Sequence, residues 1–219
     1  ELPAKPAIAA QHEEIFEVVL EAGGGCPRFA GRVLRGISMS ATTPAWLVER
    51  LRRVGLRAIH PVVDVTNYVM LELGQPLHSY DLRKLDTRIA VRLANEAEKL
   101  TLLDGRNVDL DPEVMVIADN SGAIGLAGIM GGQSTAVGNE TRDVFLEAAY
   151  FSPAAMAGRA RRFGLHTDAS MRFERGVDPE HQARAIERAT ELLLDIVGGE
   201  PGLLNESKLP EYLDERAPI

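Results

Sequence analysis

The spacing of apolar residues changes period along the chain, and each change predicts an element. In residues 62–81, VVDVTNYVMLELGQPLHSYD, Val65, Val69 and Leu73 recur every four positions, as on one face of a helix. Asp64 is placed to cap its start, because a short carboxylate accepts from the free N–H groups of a first turn. Gly74 suits the left-handed residue after a helix, and Pro76 blocks continuation. A short helix and an irregular turn are therefore expected, with Thr66 and Asn67 in the first turn and His78 just past the stop. A second helix is predicted from Thr43 as cap and Pro44 as first residue, with Leu47, Leu51 and Val54 inward and Gly55 as stop. Ser152 and Pro153 open another, ended by Gly164. Asp178-Pro179 open the longest, with Ile186, Ala189, Leu193 and Ile196 inward and Gly198-Gly199 ending it.

Between these lie period-two stretches. Residues 28–37, 89–94 and 144–151 read as strands. Residues 99–110 read as a hairpin turning at Asp104-Gly105, and 114–118 with 123–129 as a second hairpin. The predicted fold class is α+β, a mostly antiparallel β assembly flanked by several helices. Residues 1–10 are Pro/Ala-rich and read as linker. The expected division is a 1–25 N-terminal segment, one compact module over 26–210 and a 211–219 tail, with Pro201 and Pro210 limiting regular structure after 200.

At 219 residues, 45% hydrophobic and 26% charged, the chain can bury a sizeable core. A net charge of −8 argues against gripping nucleic acid over the whole surface, but allows a local contact. Such a contact has two candidates. Arg50, Arg52, Arg53 and Arg57 decorate the 43–55 helix, where a solvated face is the plainer reading. Arg159, Arg161, Arg162, Arg172 and Arg175 form a positive island, where structural ion pairs compete with a phosphate contact. Trp46 reads as core or as a partner contact. Cys26 is the only cysteine, so no internal disulfide or thiolate cluster is possible, which fits a reducing cytoplasm. Neither a signal-peptide pattern nor an apolar run near 18 residues is recognised in these residues, so no membrane association is expected.

Several familiar chemistries are missing. No GxSxG elbow, HExxH or P-loop occurs, and the glycines at 125, 128, 131 and 132 do not have nucleotide-loop spacing. The five histidines show no metal-ligand spacing, so no metal is assigned. Thr66, Asn67 and His78 tie a hydroxyl, an amide and an imidazole to one element, where they could hold a water against a carbonyl. Plainer roles exist for each: Asn caps, Thr bonds back to the backbone, and a histidine beside a turn is more often structural. Glu147 interrupts an apolar run, and a buried acid is costly unless paired. It could equally face outward or pair with an arginine.

Four strings carry a resemblance: PVVDVTNYVMLELGQPLHSYDLRKL, GLAGIMGG, FLEAAYF and RRFGLHTDASMRFERGVDP. In this order they resemble the B3/B4 region of the bacterial phenylalanyl-tRNA synthetase beta subunit, from about Arg28 to Leu209. The resemblance implies an editing site that hydrolyses tyrosine wrongly attached to the phenylalanine tRNA. It assigns phenol recognition to Glu147, places Gly131 in the pocket wall, and adds His78, Thr167 and Ala169, with Thr66 and Asn67 nearby. His78, Thr66 and Asn67 would orient water and ester, and a small Ala169 would leave room for the ring. The expected partners are the tRNA 3′ end and an alpha subunit, in a parent heterotetramer of two alpha and two beta subunits. No cofactor is expected in this domain; ATP and magnesium belong to the parent's other subunit, and no aminoacylation is expected here. A first residue that is not Met, and the greater length of the family's subunit, suggest an excerpt. Two rival readings remain: a non-catalytic RNA-binding or subunit-docking module, and a free amino-acid sensor.

Overall fold

The computed structural model describes residues 7–38 and 40–213. The linker reading of residues 1–6 and the tail reading of 214–219 lie outside the described residues. The elements in chain order are β1 (Val18–Leu20), β2 (Arg28–Arg35), α1 (Ala45–Arg53), α2 (Pro61–Leu73), β3 (His78–Asp81) and β4 (Ile89–Leu93). There follow β5 (Lys99–Thr101), β6 (Asn107–Asp109), β7 (Met115–Asp119), β8 (Gly122–Leu126), β9 (Met130–Gly131) and β10 (Val144–Tyr150). The C-terminal part adds α3 (Pro153–Met156), α4 (Arg159–Arg162), α5 (Asp168–Arg175), α6 (Gln182–Val197), β11 (Glu200–Pro201) and β12 (Asn205–Lys208).

Two five-stranded sheets result. The first runs β1-β4-β7-β8-β9; the second runs β11-β2-β10-β3, with β12 also on β2. Every pairing is antiparallel except β1 with β4, so the mostly antiparallel α+β architecture is as expected. The second sheet divides the interior. Phe29, Val33, Tyr80 and Phe145 point from it towards the first sheet and α3–α5, meeting Ile89, Ile117, Leu126 and Phe173. Ala30, Leu34, Val144 and Leu146 point the other way, onto α1, α2 and α6, meeting Leu47, Val65, Val69 and Ile186. This is the period-two alternation of a strand buried on both faces.

The predicted hairpin turn at Asp104-Gly105 joins β5 to β6, with Gly105 left-handed at φ 84°. Gly74 ends α2 at φ 74°, as its position implied. Several boundaries differ. His60, not Asp64, caps α2, its ring nitrogen accepting from the Val62 N–H. Asp64 is instead a buried clamp: its carboxylate accepts from the Thr43 hydroxyl at 2.5 Å and the Ile59 N–H at 2.8 Å. Thr43 therefore does not cap α1, whose N-cap is Pro44, and Val54 is exposed rather than inward. Left-handed Gly158 splits the 153–164 helix into α3 and α4. The longest helix starts at Gln182, because the Asp178 carboxylate caps a turn through the Glu180 N–H. The stretch after 200 is extended but regular, with β11 and β12 both pairing against β2.

Asp64→Ala should lower unfolding free energy by about 1–2 kcal/mol, since it takes the acceptor from the partly buried Thr43 hydroxyl and from the Ile59 N–H. Urea unfolding with unchanged m-value would read it; a loss below about 0.5 kcal/mol would remove Asp64 as the clamp.

Candidate functional site

Strand β10 runs between β2 and β3, and its register places Glu147 opposite His78 and Phe145 opposite Tyr80. Because side chains alternate, Glu147 shares a face with Phe145 and Ala149, looking towards the first sheet. The turn leading into β3 is held by buried Gln75, whose amide donates to the Ala149 carbonyl at 2.9 Å. The Gln182 amide donates in turn to Gln75 Oε1, also at 2.9 Å. Two side-chain amides thus fix where His78 meets β10.

Here the two sheets enclose a cavity of about 80 Å³. His78, Tyr80 and Glu147 line it from the second sheet, Gly125, Met130 and Gly131 from the first. Ala169 and Phe173 of α5 close one side. The walls are largely apolar, so the few polar groups decide what the cavity can hold. The Tyr80 hydroxyl donates to Glu147 Oε2. No other side-chain hydrogen bond to Glu147 occurs among the described residues, so Oε1 has no side-chain partner there. The Tyr80 ring meets the His78 imidazole edge-on, with centroids 4.5 Å apart.

Burial sets the charge states. It pushes the Glu147 carboxyl up to about 7, with the Tyr80 hydrogen bond opposing it. It pulls the His78 imidazole down to about 4, so His78 is neutral at neutral pH. The Tyr80 phenol is pushed well up by burial and by the adjacent Glu147 charge, so it stays a donor. His78 Nε2 is buried without a hydrogen-bond partner. Such an atom is expensive to leave unpaired and is available to a ligand or water.

Gly131 explains how His78 fits. A β-carbon on it would lie 2.5 Å from His78 Cε1 and 2.6 Å from Nε2, inside any real contact. Close approach, not a positive φ, requires glycine here. Thr167 caps α5: its hydroxyl accepts from the Ser170 N–H and donates to the Ile129 carbonyl, 2.9 Å away. It thereby ties α5, and Ala169 with it, to the first-sheet wall.

Of the residues singled out by sequence, His78, Gly131, Glu147 and Ala169 come together, with Thr167 behind them. Thr66 and Asn67 do not join them. The Thr66 hydroxyl donates to the Val63 carbonyl at 2.8 Å, the plainer of its two readings. Asn67 is half-buried on α2, whose apolar face packs on the opposite side of the second sheet from Glu147. Sequence reading overlooked Tyr80. The expected irregular turn is instead the strand β3, in which Tyr80 lies two residues after His78 and shares its face.

Among the described residues, no group of three His, Cys, Asp or Glu side chains could hold a metal ion. None of their helices is long and apolar enough to cross a membrane. Trp46 is 44% exposed, with Tyr68 against its ring and the Arg50 guanidinium over it. Arg52 and Arg53 both pair with Glu49, consistent with a solvated face.

Comparison with known proteins places this geometry in a family. The B3/4 domain matches residues 25–198. The chain is 54% identical to the phenylalanine–tRNA ligase beta subunit of Hahella chejuensis, over 99% of its own length and 28% of that protein. It is 53% identical to the same subunit of Pseudomonas putida, again over 99% and 28%. The chain thus spans just over a quarter of these curated relatives. In fold it is similar to an N-terminal fragment of the phenylalanyl-tRNA synthetase beta-subunit from Pyrococcus horikoshii. That likeness has a TM-score of 0.59 at 13% identity and covers 94% of this chain and 57% of that one.

Two outcomes follow from the Tyr80–Glu147 pair. Tyr80→Phe removes a donor to the charged carboxylate, so the Glu147 pKa should rise by roughly one pH unit in a carboxyl-carbon NMR titration. An unchanged or lower value would contradict the pairing. A carboxyl raised from 4.5 to about 7 contributes most to stability below pH 4.5, and loses that contribution as pH rises to 7. The stability of the parent relative to Glu147→Gln should therefore fall across this window, by on the order of 3 kcal/mol. A flat difference would mean that Glu147 ionises normally.

Proposed function

Because the chain belongs to the B3/4 domain family, we propose that its cavity hydrolyses the ester of tyrosine wrongly joined to the phenylalanine tRNA, as the editing part of a phenylalanyl-tRNA synthetase beta subunit. The observation that carries this reading is Glu147: a buried carboxyl, already accepting from one phenol, with a second oxygen left over in an apolar cavity.

The physical problem is discrimination. Tyrosine is phenylalanine plus one hydroxyl, and an apolar pocket rejects such an addition by only about 10²-fold. A pocket built to hydrogen-bond the hydroxyl rejects the analogue lacking it by roughly 10⁴–10⁵, because its polar group is otherwise left unpaired. Glu147 supplies that group. Tyr80 shows that a phenol and this carboxyl fit together, and Oε1 would take the substrate's hydroxyl. Ala169 leaves room beside the ring.

The ester needs only a held water and a route for protons. His78 supports that part, with its unpartnered Nε2 beside Gly131. A neutral imidazole with a pKa near 4 is a weak base but a good orienting group, so its role is to position water. Thr66 and Asn67 keep to their helix and take no part in the step. The terminal hydroxyls of the RNA supply part of the proton transfer. In the intact enzyme the partners are the tRNA 3′ end and an alpha subunit, in a cytoplasmic heterotetramer, with ATP and magnesium serving the other subunit.

The test is deacylation of tyrosyl-tRNA and phenylalanyl-tRNA by the full alpha/beta enzyme. Glu147→Ala should slow tyrosyl cleavage by roughly 10²-fold or more and leave the phenylalanyl rate nearly unchanged. Ala169→Leu should raise KM for both esters by blocking entry. Parental tyrosyl cleavage by Glu147→Ala would remove the phenol reader. No cleavage by the parent enzyme would leave a non-catalytic RNA-binding module.

A further inference from the structure

Helix α5 has a second face. Ala169 and Phe173 look into the cavity, whereas Ser170, Met171, Glu174 and Arg175 line a separate cleft of about 330 Å³, together with Arg161, Leu165 and His166. We propose that Arg161, Arg175 and His166 in this cleft bind a backbone phosphate of the RNA strand whose end enters the cavity across α5. The identity of that RNA rests on the editing reading; the anion site does not.

The arginines of residues 159–175 differ in their partners. Arg159 pairs with Glu113 at 2.8 Å, and Arg162 with Asp111 at 2.6 Å and Glu113 at 3.0 Å. Arg172 is held by the Asp168 carboxylate at 2.8 Å. These three charges are neutralised within the fold. Arg161 is different: its guanidinium is 76% exposed and reaches Glu174 only at 3.7 Å. Glu174 Oε1 is also engaged, accepting from the Gly158 N–H at 3.1 Å. Arg175 is exposed and has no ion pair among the described residues. The cleft thus sets two planar guanidinium forks and an exposed imidazole against one carboxylate, in a chain of net charge −8. Guanidinium forks match phosphate oxygens in pairs, and arginine stays charged at any working pH.

Position supplies the rest. An α-helix with its side chains is about 10–12 Å across. A strand whose end is seated in the cavity has only this width to cross before a backbone phosphate reaches the cleft.

The experiment measures affinity of the full-length ligase complex for uncharged tRNA across a salt series. Each single-strand phosphate contact contributes about 0.7 to the slope of log K against log salt. Arg161→Gln and Arg175→Gln combined should make the slope shallower by about that amount and each alone by part of it, and Arg162→Gln, whose charge is already paired, should leave it unchanged. None of the three side chains is buried, so the substitutions leave the core intact. Unchanged slopes for Arg161→Gln and Arg175→Gln would overturn the proposal, as would an equal change for Arg162→Gln. Binding of inorganic phosphate without any change in the RNA slope would assign the cleft to a free anion and overturn the RNA contact. The slope requires no ester cleavage, so slope changes in an enzyme that leaves tyrosyl-tRNA intact would uphold the phosphate site and defeat only the editing reading.

Discussion

Everything at the site depends on the register of β10. This strand is buried on both faces, paired with β2 on one side and β3 on the other. Its even positions pack against helices and its odd positions against the first sheet, so a slip of one residue would exchange the two sets. Glu147 would then enter the helix-packed core, and Leu146 the cavity. The chain secures the register with Gln75 and Gln182, two buried amides chained from α6 to the β10 backbone. Apolar packing alone does not discriminate Leu146 from Ala148 as strictly as a directional hydrogen bond does.

Around that register the polar groups limit one another. Glu147 is buried far enough to be raised towards neutrality, and Tyr80 moderates the rise by donating to its charged form. His78 is desolvated into neutrality by the same apolar walls. Gly131 gives up a side chain so that the imidazole can lie against the backbone. A carboxyl that can be charged, a phenol that remains a donor and an imidazole with a free nitrogen therefore coexist in a small volume without a metal-ligand constellation among the described residues.

Much of this was legible in the sequence, where local chemistry dictated it. Gly74, Gly105 and Gly198 marked turns that only glycine makes easily, and the apolar run FLEAAYF marked a strand interrupted by an acid. What stayed hidden was decided at long range. Asp64 looks like a cap until Thr43 is folded against it. Thr66 and Asn67 seem close to His78 because one helix links them, yet the second sheet separates their helix's packed face from Glu147. The short strands β1 and β12 are half-buried and polar or brief, so their sequences carry little period; they become strands because β4 and β2 offer free edges. Tyr80 stayed hidden because residues 78–81 read as an irregular turn, which shares no face between alternate residues; they become a strand only by pairing with β10.

The pairing of β12 with β2 has a consequence for how the chain is made. The Arg28–Glu206 contact joins residues 178 positions apart, on the two strands that close this side of the second sheet. At synthesis rates of 5–20 residues per second, β2 waits roughly 10 to 35 seconds for that partner. Meanwhile it is an apolar ribbon with unpaired N–H and C=O groups, the kind of edge to which other nascent chains add. A topology dominated by such distant pairings folds slowly. The interval before residue 208 emerges is therefore when this domain is most exposed to misassembly, and when a chaperone would have most to protect.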